Sequence, residues 1–284
     1  MSRPSSPRPR APLTAERVAD ALASHDLAGR VRVLASCDST NAEARRVLGS
    51  GSGAVPGSAD SSWLLVTAEE QTGGRGRLDR SWTSPAGAGV LMSLAVAIPA
   101  TAAATTVGWL PLIAGLATGA ACRRLAVPAA VKWPNDVVVG DPARKLAGVL
   151  VERSGVWAVV GVGINVDLRP SEFPTATTGS LVSETGAALL DRAALLADVV
   201  NGLVSRWQRL LAAGDAERSG LHDEYLRRCV TLGQQVRVQR SESADLVGRA
   251  VGIDSAGHLL VVDQTGRRRT VTVGDVIHVR GLQP

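Results

Sequence analysis

The spacing of apolar residues changes several times along the chain, and each change marks an expected element. Thr14 to Ala23 predicts a short helix with Thr14 placed to cap it. Val31 to Ala35 reads as a strand. Thr40, followed by Glu43, has the form of a capping box, so a helix is expected from Thr40 to about Leu48, with a Gly/Ser loop over Gly49 to Ser61. Trp63 to Ala68 and Val90 to Ile98 predict strands, and Val107 to Leu125 a buried helix. Val137-Val138-Val139 is a short apolar run, and Val149 to Glu152 with Trp157 to Val166 has the pattern of a hairpin. The second arm carries Gly161 and Gly163 at alternate positions, which leaves one strand face bare for a flat ligand or another backbone. Leu189 to Leu211 is a long amphipathic helix, with Leu196, Val200, Leu203 and Trp207 at helical spacing and Gly214 to end it. Asp215 to Cys229 predicts one more helix. From Leu232 the texture turns to short Val-rich strands: Gln235 to Gln239, Leu246 to Ile253, His258 to Val262, Arg269 to Val273 and Val276 to Val279, with Gly257 and Gly266 in tight turns.

These elements divide the chain into three parts. Residues 1–30 hold a Ser/Pro/Arg-rich tail (Met1 to Pro12), expected to be disordered, and a short helix. Residues 31–230 form the main domain, and residues 231–284 a small β-barrel. Only six Trp, one Tyr and one Phe are present, so Ala, Val and Leu must fill the core. The stretch from Gly89 to Ala121 is free of charge, which raises the question of a membrane. Pro99 and Pro111 interrupt it, and a buried strand followed by a buried helix is the expectation. Cys37, Cys122 and Cys229 are scattered without a C-x-x-C, which points to neither zinc nor disulfides and to a reducing, cytoplasmic setting.

Charge sharpens the picture. The formal net charge of +5 suits an anionic ligand or nucleic acid and is specific for neither. Of 31 basic Lys and Arg residues only two are Lys, and both lie in one stretch, Val131 to Gly148. Where Arg serves every diffuse need, a retained Lys marks a position that requires a compact ammonium on a thin stem. Lys132 opens Lys132-Trp133-Pro134-Asn135-Asp136, and Lys145 precedes Leu146-Ala147-Gly148. Asn41, Asn135 and Asn165 each sit in a polar motif beside an apolar run, which suits reading a polar ligand edge. Gly73-Gly74-Arg75-Gly76-Arg77-Leu78-Asp79-Arg80-Ser81-Trp82 describes a mobile basic loop, either a nucleic-acid patch or a flap whose arginines close over a small anion. It is neither a Walker A loop nor a dinucleotide fingerprint. With no G-x-S-x-G, and with His25, His222, His258 and His278 isolated, a Ser or Cys hydrolase lacks support. The inventory fits phosphoryl or nucleotidyl chemistry by positioning and charge neutralisation, with Asp136 able to hold Mg²⁺.

Ser39-Thr40-Asn41, Gln71 with Gly74-Arg75-Gly76-Arg77 and Trp82, Lys132 to Asp136, Arg144 to Gly148 and Gly161 to Val166 occur in an order that resembles the biotin–protein ligases. The resemblance runs on through Ser180-Leu181, Asp191-Arg192 and Gly248 to Arg280, and so covers nearly everything from residue 31. It implies an α+β fold: a mixed β-sheet flanked by helices, related to class II aminoacyl-tRNA synthetases, with an SH3-like C-terminal β-barrel. It implies two reactions, in which biotin and MgATP give biotinyl-5′-adenylate, and the acyl group then passes to a lysine of a biotin carboxyl carrier protein domain of an acyl-CoA carboxylase such as acetyl-CoA carboxylase. By the same resemblance Ser39, Thr40, Asn41 and Gln71 bind the ureido end of biotin, while Gly74, Arg75, Gly76 and Arg77 fold over the adenylate. Trp82 packs over the ligand, beside Gly148 and Gly163. Lys145 meets the carboxylate and α-phosphate, Lys132 and Asp136 serve phosphates and Mg²⁺, and Arg80, Asn135 and Asn165 contact the nucleotide, Asn165 at adenine.

Glu70 and Gly73 depart from the family pattern, where an aromatic and Ala are common. The residues before the first core strand leave room for at most one short helix, so no helix-turn-helix, no repressor role and no nucleic-acid partner are expected. A lipoate–protein ligase and a nucleic-acid binder using Arg75, Arg77, Arg80 and Arg267 to Arg269 are the rival readings. Because the lysine count singles out Lys145, Lys145→Arg is expected to lower adenylation by about a hundredfold despite the retained charge, read as pyrophosphate release.

Overall fold

The computed structural model describes residues 10–23, 30–50, 63–187, 189–239, 245–272 and 275–278; most of the expected tail and Gly/Ser loop lie outside them. The first elements are α1 (Ala15–Ala23), β1 (Arg30–Cys37), α2 (Thr40–Gly49), β2 (Trp63–Gln71), β3 (Gly89–Ala97), α3 (Ala104–Gly108) and α4 (Leu110–Arg124). Next come β4 (Ala130–Lys132), β5 (Asp136–Val139), β6 (Arg144–Ser154), β7 (Trp157–Asn165), α5 (Leu181–Thr185), α6 (Arg192–Ala213) and α7 (Leu221–Leu226). The chain then forms β8 (Gln235–Gln239), β9 (Leu246–Ile253), β10 (Leu259–Asp263), β11 (Arg268–Val271) and β12 (Asp275–His278).

The first seven strands make one sheet in the order β1-β2-β3-β7-β6-β5-β4. Only β1 and β2 run parallel; every other neighbour is antiparallel, so the sheet is mixed. On one face α4 and α6 pack over Leu94, Val160, Val162 and Ile164. On the other, α2 covers Leu64, Val66, Ala95 and Val159. With helices on both faces, β3 is buried along Gly89 to Val96, which is why that part of the sequence carries no charge. Ala104–Arg124 is the one helical run among the described residues long and apolar enough to cross a membrane, and Leu112, Ile113, Leu116 and Ala117 bury it in the core. Asp191 caps α6 by accepting from the amides of Ala193 and Ala194, and Gly214, at φ +83°, ends it.

Four expectations change. Thr40 is not a cap: Ser39 holds that position, no side chain caps α2, and Thr40 Oγ1 turns inward to Gln71 and Ser93 while Glu43 pairs with Arg32 and Arg46. Partners brought by the sheet displace the local cap. The expected helix over Asp215 to Cys229 shrinks to α7, because Gly220 at φ +71° breaks the helical path before it. The tail is not free where it is described. Arg10 bonds Asp167 and Glu172, the Leu13 amide donates to Glu69, and Leu13 is buried. Finally, β8 to β12 form an open antiparallel sheet in the order β11-β10-β9-β8-β12, with no β11–β12 pairing among the described residues to close a barrel.

Two indoles tie this second sheet to the first. Trp109 Nε1 donates to the Ser255 carbonyl at 2.8 Å and Trp133 Nε1 to the Gly257 carbonyl at 3.0 Å, both in the β9–β10 turn. Arg192, 6% exposed, donates to the Gly89 carbonyl, to both Glu69 carboxylate oxygens and to the Ala11 carbonyl, joining α6, β2, β3 and the N-terminal segment. Removing one partner of a buried pair strands the other charge, so Arg192→Met is expected to lower unfolding stability by about 3 kcal/mol in a denaturant titration. Adding Glu69→Gln should restore part of that loss.

Candidate functional site

The site grows out of a gap in the sheet. β6 and β7 pair with Gly148 opposite Gly163 and Leu150 opposite Gly161, so three glycines leave neighbouring stretches of two strands without side chains. The gap is used, though by this chain's own side chains. A Cβ on Gly163 would lie 2.5 Å from the Trp82 indole, one on Gly148 3.0 Å from it, and one on Gly161 would collide with the Asn41 amide. The expectation of a bare face is met, with Trp82 and Asn41 as the groups that need it.

Around this floor lies a cavity of about 140 Å³ lined from four directions. The start of α2 contributes Ser39, Thr40 and Asn41, the end of β2 Gln71, and the following loop Arg75, Gly76, Arg77, Arg80, Ser81 and Trp82. β5 and its approach contribute Asn135 and Asp136, and β6 contributes Lys145 and Gly148. Chemically the cavity has two ends. At one, Thr40 and Gln71 present neutral hydrogen-bonding groups, with the Thr40 amide donating to Gln71 Oε1 at 2.8 Å. At the other stand four cations, Arg75, Arg77, Arg80 and Lys145, against Asp136, the one carboxylate of the lining.

Lys145 reaches the cavity because β6 is irregular. In a regular strand residues 145 and 148 face opposite sides. The register with β5 shifts between Val137 and Val138, leaving Leu146 as the extra residue of a bulge, and Lys145 comes round to the side of Gly148. Its backbone is fixed there by the Thr177 carbonyl at 2.7 Å and the Gly179 amide at 2.9 Å. Its ammonium stands 2.6 Å from Asp136 Oδ1 and 5.6 Å from the Trp82 ring centre. Asp136 Oδ1 accepts no well-aligned hydrogen bond, so the Lys145 contact is a charge pair that an incoming anion can exchange.

The basic loop carries backbone bonds of its own. Gly76 and Arg80 pair by their backbones, the Trp82 amide donates to the Gly74 carbonyl, and Leu78 and Asp79 turn the tip at φ +54° and +55°. Such left-handed non-glycine residues store strain of the kind found in ligand clamps. Gly74 stands outside the lining, where any Cβ would collide with the Trp82 carbonyl; its part is close approach. Arg77 reaches Asn135 Oδ1 at 3.3 Å, and Asn135 Nδ2 donates to the Val149 carbonyl. Outside the cavity, an Arg46 hydrogen bond holds the Asp38 carboxyl below its usual range.

Besides Gly74, two more expected contacts sit elsewhere. Lys132, in β4 opposite Asp136, is not among the lining residues. Asn165 is buried beneath the floor, donating to the Lys145 carbonyl at 3.2 Å, so it braces Lys145 instead of facing a ligand in this structure. The sequence reading missed Ser93, Arg45 and Glu152, which sit directly behind the lining. Ser93 left a signal, as the single hydroxyl in the apolar run of β3.

The mixed sheet, the small second sheet and the cavity belong to a ligase of the biotin/lipoate type, as two family models show. The model of the Biotin/lipoate A/B protein ligase family matches residues 55–168, and that of the Biotin protein ligase C terminal domain residues 231–279. The chain is 36% identical to the biotin–[acetyl-CoA-carboxylase] ligase of Mycobacterium tuberculosis, over 87% of this chain and 88% of that protein. It is also 36% identical to the enzyme of the same name from Paracoccus denitrificans, over 83% and 95%. Among solved structures, the biotin protein ligase of Aquifex aeolicus in complex with biotin and ATP superposes with a TM-score of 0.70 at 25% identity, covering 89% of this chain and 99% of that one. The chain belongs to the biotin–protein ligase family.

Gly163→Ala is expected to push Trp82 off the floor at a stability cost of about 1 kcal/mol. The displacement should appear as faster amide exchange over Gly74 to Trp82.

Proposed function

We propose that this chain activates biotin with ATP and passes the acyl group to a lysine of a biotin carboxyl carrier protein domain of an acyl-CoA carboxylase. A single cavity carries the reading: its neutral end suits a ureido ring, its cationic end suits a carboxylate and phosphates, and the Lys145 ammonium belongs to the cationic end.

In the first step a biotin carboxylate oxygen attacks the α-phosphorus of ATP, and the bond to the β-phosphate oxygen breaks as pyrophosphate leaves. Both reactants are anions, so their approach requires neutralisation. Lys145 leaves Asp136 for the carboxylate and α-phosphate, where its charge is worth most as the transition state develops. Arg75, Arg77 and Arg80 close over the phosphates, and Trp82 covers the product, keeping water from the mixed anhydride. In the second step the carrier's lysine amine attacks the acyl carbon, loses its proton, and AMP departs with the bridging oxygen.

Mg²⁺ takes one or two carboxylates and completes its shell with substrate phosphates and water. Asp136 is a donor of that kind, and no cage of three His, Cys, Asp or Glu exists among the described residues. Asp136 would therefore hold a Mg²⁺ carried in by ATP, which would supply further neutralisation of phosphate charge. Asn135 is assigned to the nucleotide side, and Asn165 and Lys132 to supporting places, the first under the Lys145 backbone and the second beside Asp136. Arg75, Arg77 and Arg80 line a cavity, which favours a small anion over nucleic acid for them.

Incubation with MgATP and either biotin or lipoate, followed by mass analysis, tests the reading. Biotinyl-adenylate with biotin alone is the expected result. Lipoyl-adenylate alone, or no acyl-adenylate, would overturn it.

A further inference from the structure

Behind the neutral end of the cavity runs a chain of hydrogen bonds that ends at a charge. Asn41 Nδ2 donates to Glu152 Oε2 at 2.7 Å and to the Leu150 carbonyl at 3.3 Å, while Arg45 holds the other Glu152 oxygen at 2.7 Å. Ser93 Oγ lies 2.6 Å from Asn41 Oδ1 and 2.7 Å from Thr40 Oγ1, and Thr40 Oγ1 lies 3.0 Å from Gln71 Oε1. Asn41, Thr40 and Ser93 are 4%, 4% and 0% exposed.

Proton counting fixes the direction of the bonds from Glu152 through Asn41 to Ser93. A carboxylate only accepts, so Glu152 takes an Asn41 amide proton and holds the amide with its oxygen toward Ser93. That oxygen also only accepts, so the single Ser93 proton goes to it. Thr40 has one proton, which goes to Gln71 Oε1 at 3.0 Å or to Ser93 Oγ at 2.7 Å, and with either partner Thr40 Oγ1 is an acceptor toward anything further. Thr40 Oγ1 is left with free lone pairs at the cavity. The Thr40 amide has already claimed Gln71 Oε1, so Gln71 offers its Nε2 protons. Both Asn41 amide protons are committed, so Asn41 acts through Thr40. Gly161 permits this, since a side chain there would strike the Asn41 amide.

We propose that Glu152, braced by Arg45, is a positioning residue that sets the donor and acceptor pattern of the acyl-substrate pocket, making Thr40 Oγ1 an acceptor for a substrate N–H. The inference rests on the biotin reading above and adds what selects a ureido N–H. Losing the anchor lets the Asn41 amide turn over and the chain reverse, so the pocket stops discriminating.

The test compares wild type, Glu152→Met, Glu152→Gln and Ser93→Ala in biotin-dependent pyrophosphate release, with an analogue N-methylated on the ureido ring as second substrate. Glu152→Met and Ser93→Ala are expected to raise the biotin KM about tenfold, the worth of one hydrogen bond to a charged group, with kcat and the ATP KM unchanged. Glu152→Gln offers one oxygen to the two donors Asn41 and Arg45, so its biotin KM should fall between those of wild type and Glu152→Met. The wild-type preference for biotin over the methylated analogue should shrink in Glu152→Met. An unchanged biotin KM in both Glu152→Met and Ser93→Ala, or equal losses in the biotin and ATP KM, overturns the inference while wild-type turnover preserves the functional reading. A wild-type enzyme that releases no pyrophosphate with biotin removes both.

Discussion

Everything at the site depends on two strands approaching a loop without side chains between them. Gly148 opposite Gly163 leaves the sheet face flat enough for an indole to lie on it. Glycine weakens a strand, and here the opposite face compensates: Val160, Val162 and Ile164 alternate with the glycines and are buried in the main core. One strand thus carries packing on one side and vacancy on the other. The cavity is a consequence of that period-two division, and the helix start, the basic loop and the lysine strand all converge on it.

The cationic end is electrostatically unfavourable by itself. Four positive side chains face one carboxylate across a small space. Like charges held together repel, and the cost of assembling them is met by the folded frame before any ligand arrives. Lys145 shows how that frame works, since a bulge turns it inward and the Thr177 and Gly179 backbone groups clamp it. Its ammonium rests on Asp136 until a better anion is present. The basic loop is similarly prepared, folded on its own backbone bonds with its strained tip at Leu78 and Asp79.

The segment Lys132 to Asp136 joins the two sheets to this site. Trp133 faces away from the cavity and holds the β9–β10 turn, while Asn135 and Asp136 face into it. The residue that holds the second sheet is thus three positions from Asp136, the Lys145 partner. The N-terminal segment is tied to the main sheet through Arg10, Glu69 and Arg192. Both contacts are long-range in sequence, and neither has a local pattern that announces it.

The sequence by itself determined the elements and their chemistry. Alternating apolar residues, the uncharged run of β3, the glycine-ended α6 and the two lysines of one stretch are properties of neighbours along the chain, and neighbours are what a sequence displays. The tertiary structure alone decided which of these meet. It made Thr40 a link to Ser93 instead of a cap, because a buried hydroxyl takes whatever partner the sheet supplies. It placed Asn165 under Lys145, and it inserted the bulge that points Lys145 at the glycines. A one-residue change of register reverses the side a residue faces, and register is set by pairing across the sheet, which no linear spacing records.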